Sequence, residues 1–148
     1  MPAIKNRLRL YLDTNVLLSL LENEEADGVK LGENVAKLLK DAAEGKYQII
    51  ASEHTVNELL EMGVPREYVD QVLRPMLLLN GGDLLVTNSD IINVALKTMR
   101  VQDIPFMEAL HIVFAQRNNA LVITRDITFI NRARALVGVM TPEEIISF

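Results

Sequence analysis

Along the chain, short runs of consecutive apolar residues alternate with longer stretches in which apolar positions recur at helical spacing. The short runs fall at residues 8–12, 47–51, 84–87, 121–124 and 136–140. They are nearly continuous in aliphatic side chains, as expected of parallel strands covered on both faces. The spacing predicts helices over residues 14–23, 29–44, 52–62, 66–79, 90–101, 105–118 and 127–135. This alternation predicts an α/β fold, a three-layer α/β/α sandwich around a central, mainly parallel five-stranded sheet with right-handed crossovers. Punctuation agrees: Gly45 can cap the second helix, Ser52 can open the next, and Gly63 with Pro65 ends it. Asn80-Gly81-Gly82-Asp83 reads as a turn, and Pro75 predicts a kink or break near Arg74. The acidic stretch 22–27, closed by Gly28, is expected to be a mobile loop. With no repeat, low-complexity tract or linker, residues 1–148 read as one domain.

Two strand ends carry the same unusual feature. In Leu10-Tyr11-Leu12-Asp13-Thr14-Asn15, an aspartate follows the first strand and a helix starts behind it. Leu121-Val122-Ile123-Thr124-Arg125-Asp126 repeats the arrangement late in the chain. Open α/β folds bind ligands where the carboxyl ends of strands meet the following helices. Aspartate is also a preferred helix N-cap. One such residue is more readily a cap; two in a small domain are harder to dismiss.

Two glutamates need separate treatment. The helix at 105–118 is apolar almost all round, with Phe106, Met107, Ala109, Leu110, Ile112, Val113, Phe114 and Ala115. Glu108 is the exception, and a buried carboxylate must pair with a cation, protonate or bind a metal. Glu58, by contrast, points away from the apolar face formed by Val56, Leu59 and Leu60, beside His54 one turn back. By periodicity alone it is an ordinary solvated glutamate. His111 follows Glu108 at the spacing of di-iron bundles, but a bundle needs a second such element, so His111 reads as a core or supporting residue. Asp103, ahead of Ile104-Pro105, reads as the cap of the following helix.

Composition narrows the chemistry. The chain has 148 residues, enough for a sizeable core, and 49% are hydrophobic. It has no cysteine, which excludes a disulfide framework, a thiolate metal site and a cysteine nucleophile, and fits a cytoplasmic location. The basic N-terminus lacks the apolar core of a signal peptide, and no apolar run reaches the ~18 residues of a membrane span. A net charge of −5 argues against a broad basic nucleic-acid surface. It leaves room for a nucleic-acid enzyme whose clustered carboxylates are offset by a bound cation.

Taken together, Asp13 after the first strand, Glu58 in Val-Asn-Glu-Leu-Leu, Glu108 in Glu-Ala-Leu-His and Asp126 in Val-Ile-Thr-Arg-Asp resemble the PIN-domain family, which includes VapC-type toxins. The resemblance covers essentially the whole chain and is most specific in Leu12-Asp13-Thr14-Asn15 and Thr124-Arg125-Asp126. It implies an acidic pocket binding Mg²⁺ or Mn²⁺, with Asp13 the central ligand and Asp126 and Glu108 completing the set, directly or through water. Glu58 would orient a metal-bound water, with Thr14, Asn15 and Thr124 in support. It further implies an endoribonuclease leaving a 5′-phosphate and a 3′-hydroxyl, and a small antitoxin as partner. The family more often has aspartate at the Glu108 position, and the extra methylene lengthens the reach by about 1.5 Å.

The residue types suit this chemistry, because hard divalent cations take oxygen ligands and assist in-line phosphodiester cleavage. Arg125, Arg132 and Arg134 could touch an RNA backbone or simply solvate a helix face. A haloacid-dehalogenase-type phosphatase would want a second acid where Asn15 stands. The stronger alternative is a catalytically weak or inactive PIN-like binding or scaffold module. The run Val72-Leu73, then Met76-Leu77-Leu78-Leu79, is an apolar patch that predicts a homodimer.

Overall fold

The computed structural model describes residues 7–79 and 84–147. Strand β1 (Leu8–Leu12) runs between β2 (Tyr47–Ile50) and β3 (Leu121–Ile123), and β4 (Val139–Met140) lies beyond β3, giving the order β2-β1-β3-β4. Every pairing is parallel, with Leu10 opposite both Ile49 and Leu121. All four strands therefore end at one edge of the sheet.

Side chains alternate across a strand, and here the alternation feeds two cores. Leu10, Leu12, Ile49 and Ile123 pack with α1 (Thr14–Leu21), α2 (Leu31–Ala43), α3 (Glu53–Glu61), α4 (Arg66–Leu79) and the short α8 (Pro142–Ile146). Tyr11 and Val122 point the other way, into α5 (Ser89–Gln102), α6 (Phe106–Arg117) and α7 (Ile127–Ala133). Helix α6 is buried from Ala109 through Ala115, as its all-round apolar sequence requires. Three layers result, as expected.

The sheet has four strands rather than five. The expected strand at 84–87 shrinks to a single parallel bridge, with Leu85 N donating to Ala51 O and Glu53 N to Leu85 O, each at 2.9 Å. The cause is local: β2 ends at Ile50 and the chain enters α3 behind its cap Ser52, so no extended partner remains for Val86 and Thr87. The run expected at 136–140 is likewise shortened. Leu136 and Val137 both donate to the Ala133 carbonyl and so belong to the turn after α7.

Helix α4 continues through Pro75 without the expected break. Pro75 and Gln71, whose carbonyl loses its usual partner, are both exposed, and the outer face of a helix tolerates that loss best. Asp103 does not cap the following helix; it closes α5 in the left-handed conformation (φ 54°), and Pro105 precedes α6. The acidic loop is pinned by an Asp27-Gly28 turn, where Ala26 and Val29 exchange backbone hydrogen bonds and both central residues have positive φ. Within the apolar run of α4, Leu73 is buried and Val72 and Leu77 pack on the first core. The side chains of Met76, Leu78 and Leu79, and the turn expected at 80–83, lie outside the described residues. No described helix is long and apolar enough to cross a membrane.

Candidate active site

The edge where the strands end is built by Asp13. Its backbone N–H extends the ladder to Ile123 O at 2.9 Å, and its side chain then turns to cap α1, Oδ1 accepting from Thr14 N at 2.7 Å. Oδ2 accepts from Thr124 Oγ1 at 2.8 Å and Asn15 Nδ2 at 3.1 Å. Asn15 in turn bonds Thr124 Oγ1 and accepts from Arg125 N, so the ends of β1 and β3 are laced together by side chains. Asp126 caps α7, its Oδ1 accepting from Thr128 N at 3.0 Å and Phe129 N at 3.2 Å. Both strand-end aspartates are therefore caps, and both also line a pocket.

That pocket, about 230 Å³, is lined by Asp13, Thr14, Asn15, Glu58, Glu108 and Asp126 together with Met62, Met107, His111 and Phe129. Thr124 sits fully buried behind Asp13. Glu58 is half-buried and far from solvated: its Oε1 accepts from Thr14 Oγ1 at 2.7 Å and from His111 Nε2 at 2.8 Å. Burial alone would raise its pKa, but the His111 hydrogen bond and charge, with the Thr14 bond, outweigh it and hold Glu58 below its usual range. Glu108 pairs through Oε1 with Arg132 Nη1 at 3.0 Å, while its Oε2 is buried with no hydrogen-bond partner among the described residues.

A histidine pair stands behind the glutamate. His111 is buried on α6, with Nδ1 bonded to Tyr11 Oη at 2.7 Å and Tyr11 Oη bonded to Ser52 Oγ at 2.7 Å. His54, one turn before Glu58 on α3, packs against His111 with ring centroids 4.8 Å apart. Burial and the neighbouring His111 push the His54 pKa down. Burial raises Tyr11 far above the ordinary phenol value, so it stays protonated. Among the described residues, His54, Glu58 and His111 are the one group of three whose ligand atoms are close enough to share a metal ion, all within 4.8 Å. Asp13, Glu108 and Asp126 share the pocket without forming so tight a group, because Arg132 holds Glu108 and the first turn of α7 holds Asp126.

Arg125 takes a different place from the one expected. Its Nε donates to Ser19 Oγ at 3.2 Å, one Nη to the Leu31 carbonyl at 2.9 Å, and the other pairs with Glu143. The guanidinium is a strut between the β3–α7 junction and helices α1, α2 and α8, and Arg125 does not line the pocket. Those guanidinium donors are already occupied by protein groups. His54, Met62, Met107 and Phe129 were not anticipated; only His54 had a visible signal, its spacing of four from Glu58 on one helix.

A family model, PIN domain, matches residues 10–135. The chain belongs to the PIN-domain family. The PIN core so defined takes in all four pocket carboxylates and stops before β4 and α8. No curated protein matches the chain significantly in sequence. Solved structures share the PIN fold. FitAcB from Neisseria gonorrhoeae aligns at 21% identity and a TM-score of 0.62, covering 90% of this chain and 98% of that one. FitAB bound to an IR36 DNA fragment gives 20% identity and 0.63, covering 90% and 94%. A toxin–antitoxin complex from Klebsiella pneumoniae gives 18% and 0.60, covering 90% and 97%.

Proposed function

We propose that this PIN-domain protein is an endoribonuclease dependent on Mg²⁺ or Mn²⁺, and the toxin of a toxin–antitoxin pair. The observation that carries the proposal is the convergence of Asp13 and Asp126, each capping a helix, with Glu58 of α3 and Glu108 of α6 on one pocket at the strand ends. The donor set suits a hard divalent cation, and the partnerless buried Oε2 of Glu108 is an atom in want of one. Mg²⁺ keeps several waters and uses few direct carboxylates, so carboxylates that share a pocket without touching are compatible with it.

Asp13, Glu108 and Asp126 would hold the cation, which when bound polarises a phosphoryl oxygen and lowers the pKa of water. Glu58, kept ionised by His111 and Thr14, accepts a hydrogen bond from the attacking water. A carboxylate with a lowered pKa is a weak base, so Glu58 orients the water more than it deprotonates it. Thr124 and Asn15 fix the Asp13 carboxylate. Incubating the purified protein with mixed RNAs and Mn²⁺ should give fragments ending in 5′-phosphates, suppressed by EDTA and absent with a folded Asp13→Asn variant. Intact RNA with the wild type, or equal cleavage by the variant, overturns the nuclease.

A second reading, a PIN-like binding module of weak or no activity, draws support from the Arg132–Glu108 pair, which commits one expected ligand to a protein cation. An antitoxin partner is supported by the similarity in fold to a toxin–antitoxin complex from Klebsiella pneumoniae. Assembly as a homodimer rests on the apolar run of the α4 sequence alone, since its described members Val72, Leu73 and Leu77 pack within the protomer; light scattering giving a mass near 16.6 kDa rules it out.

A further inference from the structure

We propose that His54, Glu58 and His111 form a second metal site, taking a late first-row transition ion such as Zn²⁺ in preference to Mg²⁺. The chain has two histidines in all, and both are packed here on either side of the same carboxylate. His54 Nε2 is buried and has no hydrogen-bond partner among the described residues; it lies 3.6 Å from Glu58 Oε1, too far to donate well. The His54 side chain is only 10% exposed, so solvent does not make good the deficit. An imidazole nitrogen left in this position, facing a second imidazole and a carboxylate, is the donor arrangement of a metal site with an open coordination position.

The distances among the ligand atoms bracket those of a metal site. Zn–N and Zn–O bonds of ~2.0–2.1 Å in a tetrahedron put neighbouring ligand atoms ~3.3 Å apart. The two imidazole nitrogens stand at 2.8 and 3.6 Å from Glu58 Oε1, and all three ligand atoms lie within 4.8 Å of one another. Rotation of the Glu58 carboxylate spreads the short contact. Two imidazoles with one carboxylate favour Zn²⁺ over Mg²⁺, which wants oxygen ligands and waters. Entry is open as well, since Glu58 and His111 line the acidic pocket and His54 lines a separate cleft.

Outer partners are in place too. For Nε2 of His111 to ligate, its proton must sit on Nδ1 and be donated to Tyr11 Oη, as metal-bound histidines usually require of a neighbouring group. Tyr11 can accept it by turning its own hydroxyl to Ser52 Oγ, since either oxygen of that 2.7 Å contact can donate. Metal binding thus reverses the sense of a buried hydrogen-bond chain. It also engages Glu58, the carboxylate that orients water in the acidic pocket, so the two sites are contiguous through one side chain.

The test uses the full-length protein, without RNA, with Zn²⁺ and Co²⁺ as probes in excess Mg²⁺. One equivalent of Co²⁺ should give visible d–d absorption that Zn²⁺ removes, and ¹⁵N spectra of the two imidazoles should show both Nε2 resonances moving together. His54→Gln should weaken binding at least tenfold. Tyr11→Phe, which deletes only a hydroxyl, should weaken it about tenfold. Asp126→Asn should leave it unchanged. The site is refuted if folded wild type binds neither ion, if binding survives His54→Gln, or if Asp126→Asn abolishes it. Because no RNA is cleaved, failure here leaves the nuclease assay standing, and failure of that assay leaves this site standing.

Discussion

Replacing Arg125 with alanine separates a strut from a substrate contact. Its side chain is only 15% exposed and makes three side-chain hydrogen bonds, to Ser19 Oγ, the Leu31 carbonyl and Glu143. A hydrogen bond involving a charged group contributes roughly 1.5–3 kcal/mol when buried. Two of the three partners here are neutral, and the released Glu143 carboxylate is 34% exposed, so water recovers part of the loss. The expected cost is about 2–4 kcal/mol for the whole strut. In a chain of this length that lowers the melting temperature by roughly 4–16 °C. Urea denaturation should show a lower midpoint at an unchanged slope, and Arg125→Lys, able to reach one partner rather than three, should fall between. A change under ~0.5 kcal/mol, accompanied by a rise in KM for RNA, would refute the strut and restore the substrate contact.

Three further outcomes are expected. Asp126→Ala should cost about 1 kcal/mol, the value of a cap, whereas Asp13→Ala should cost about 2–3 kcal/mol because it also strands the buried Thr124 hydroxyl; thermal melts without metal rank the two. Glu53 is held below the ordinary glutamate range by hydrogen bonds from the Thr87 backbone and then the Thr87 hydroxyl. A depressed carboxylate stabilises above its unfolded pKa and loses that contribution as pH falls through the folded value. Protection factors at Leu85 and Thr87, which divide out the intrinsic pH dependence of amide exchange, should therefore fall in the wild type as pH drops through the folded Glu53 value but hold steady in Glu53→Gln; identical profiles would discount the tether. Arg132→Met should free Glu108 and tighten Mn²⁺ binding several-fold by calorimetry, and an unchanged or weaker affinity would mean the arginine is not competing with the ion.

The strand-end aspartates were legible because the change from an apolar run to a helical period marks the junction where they stand. Glu108 was legible because one carboxylate in an all-apolar helix has no cheap explanation. Glu58 was not legible by periodicity. The pattern of Val56, Leu59 and Leu60 reports only the side of α3 that meets the aliphatic core. It is silent on a second, polar contact with Thr14 and His111, residues 44 and 53 positions away. The missing fifth strand reflects the same limit. Val86 and Thr87 have the composition of a strand, but pairing depends on where β2 ends. Helix α8 was missed although Thr141-Pro142-Glu143-Glu144 carries a full capping box with proline at its first turn. Its five residues lack the length over which a period can be read.

The two aspartates that cap helices do so with different economy, and this bears on how the fold can change over time. Asp126 serves α7 with Oδ1 alone, and no described hydrogen bond falls on Oδ2. An asparagine offers α7 the same oxygen and caps as well. The helix therefore cannot tell the two residues apart, but a cation held there as proposed would. At Asp13 both oxygens are accepting, and an amide nitrogen would face the donors of Thr124 or Asn15. Selection for a stable fold thus retains an aspartate at 13 in an active or a silenced descendant alike. At 126 only selection for the chemistry does. Under the proposed function, position 126 is a place where loss of the chemistry would leave a mark on the sequence without a cost to the fold.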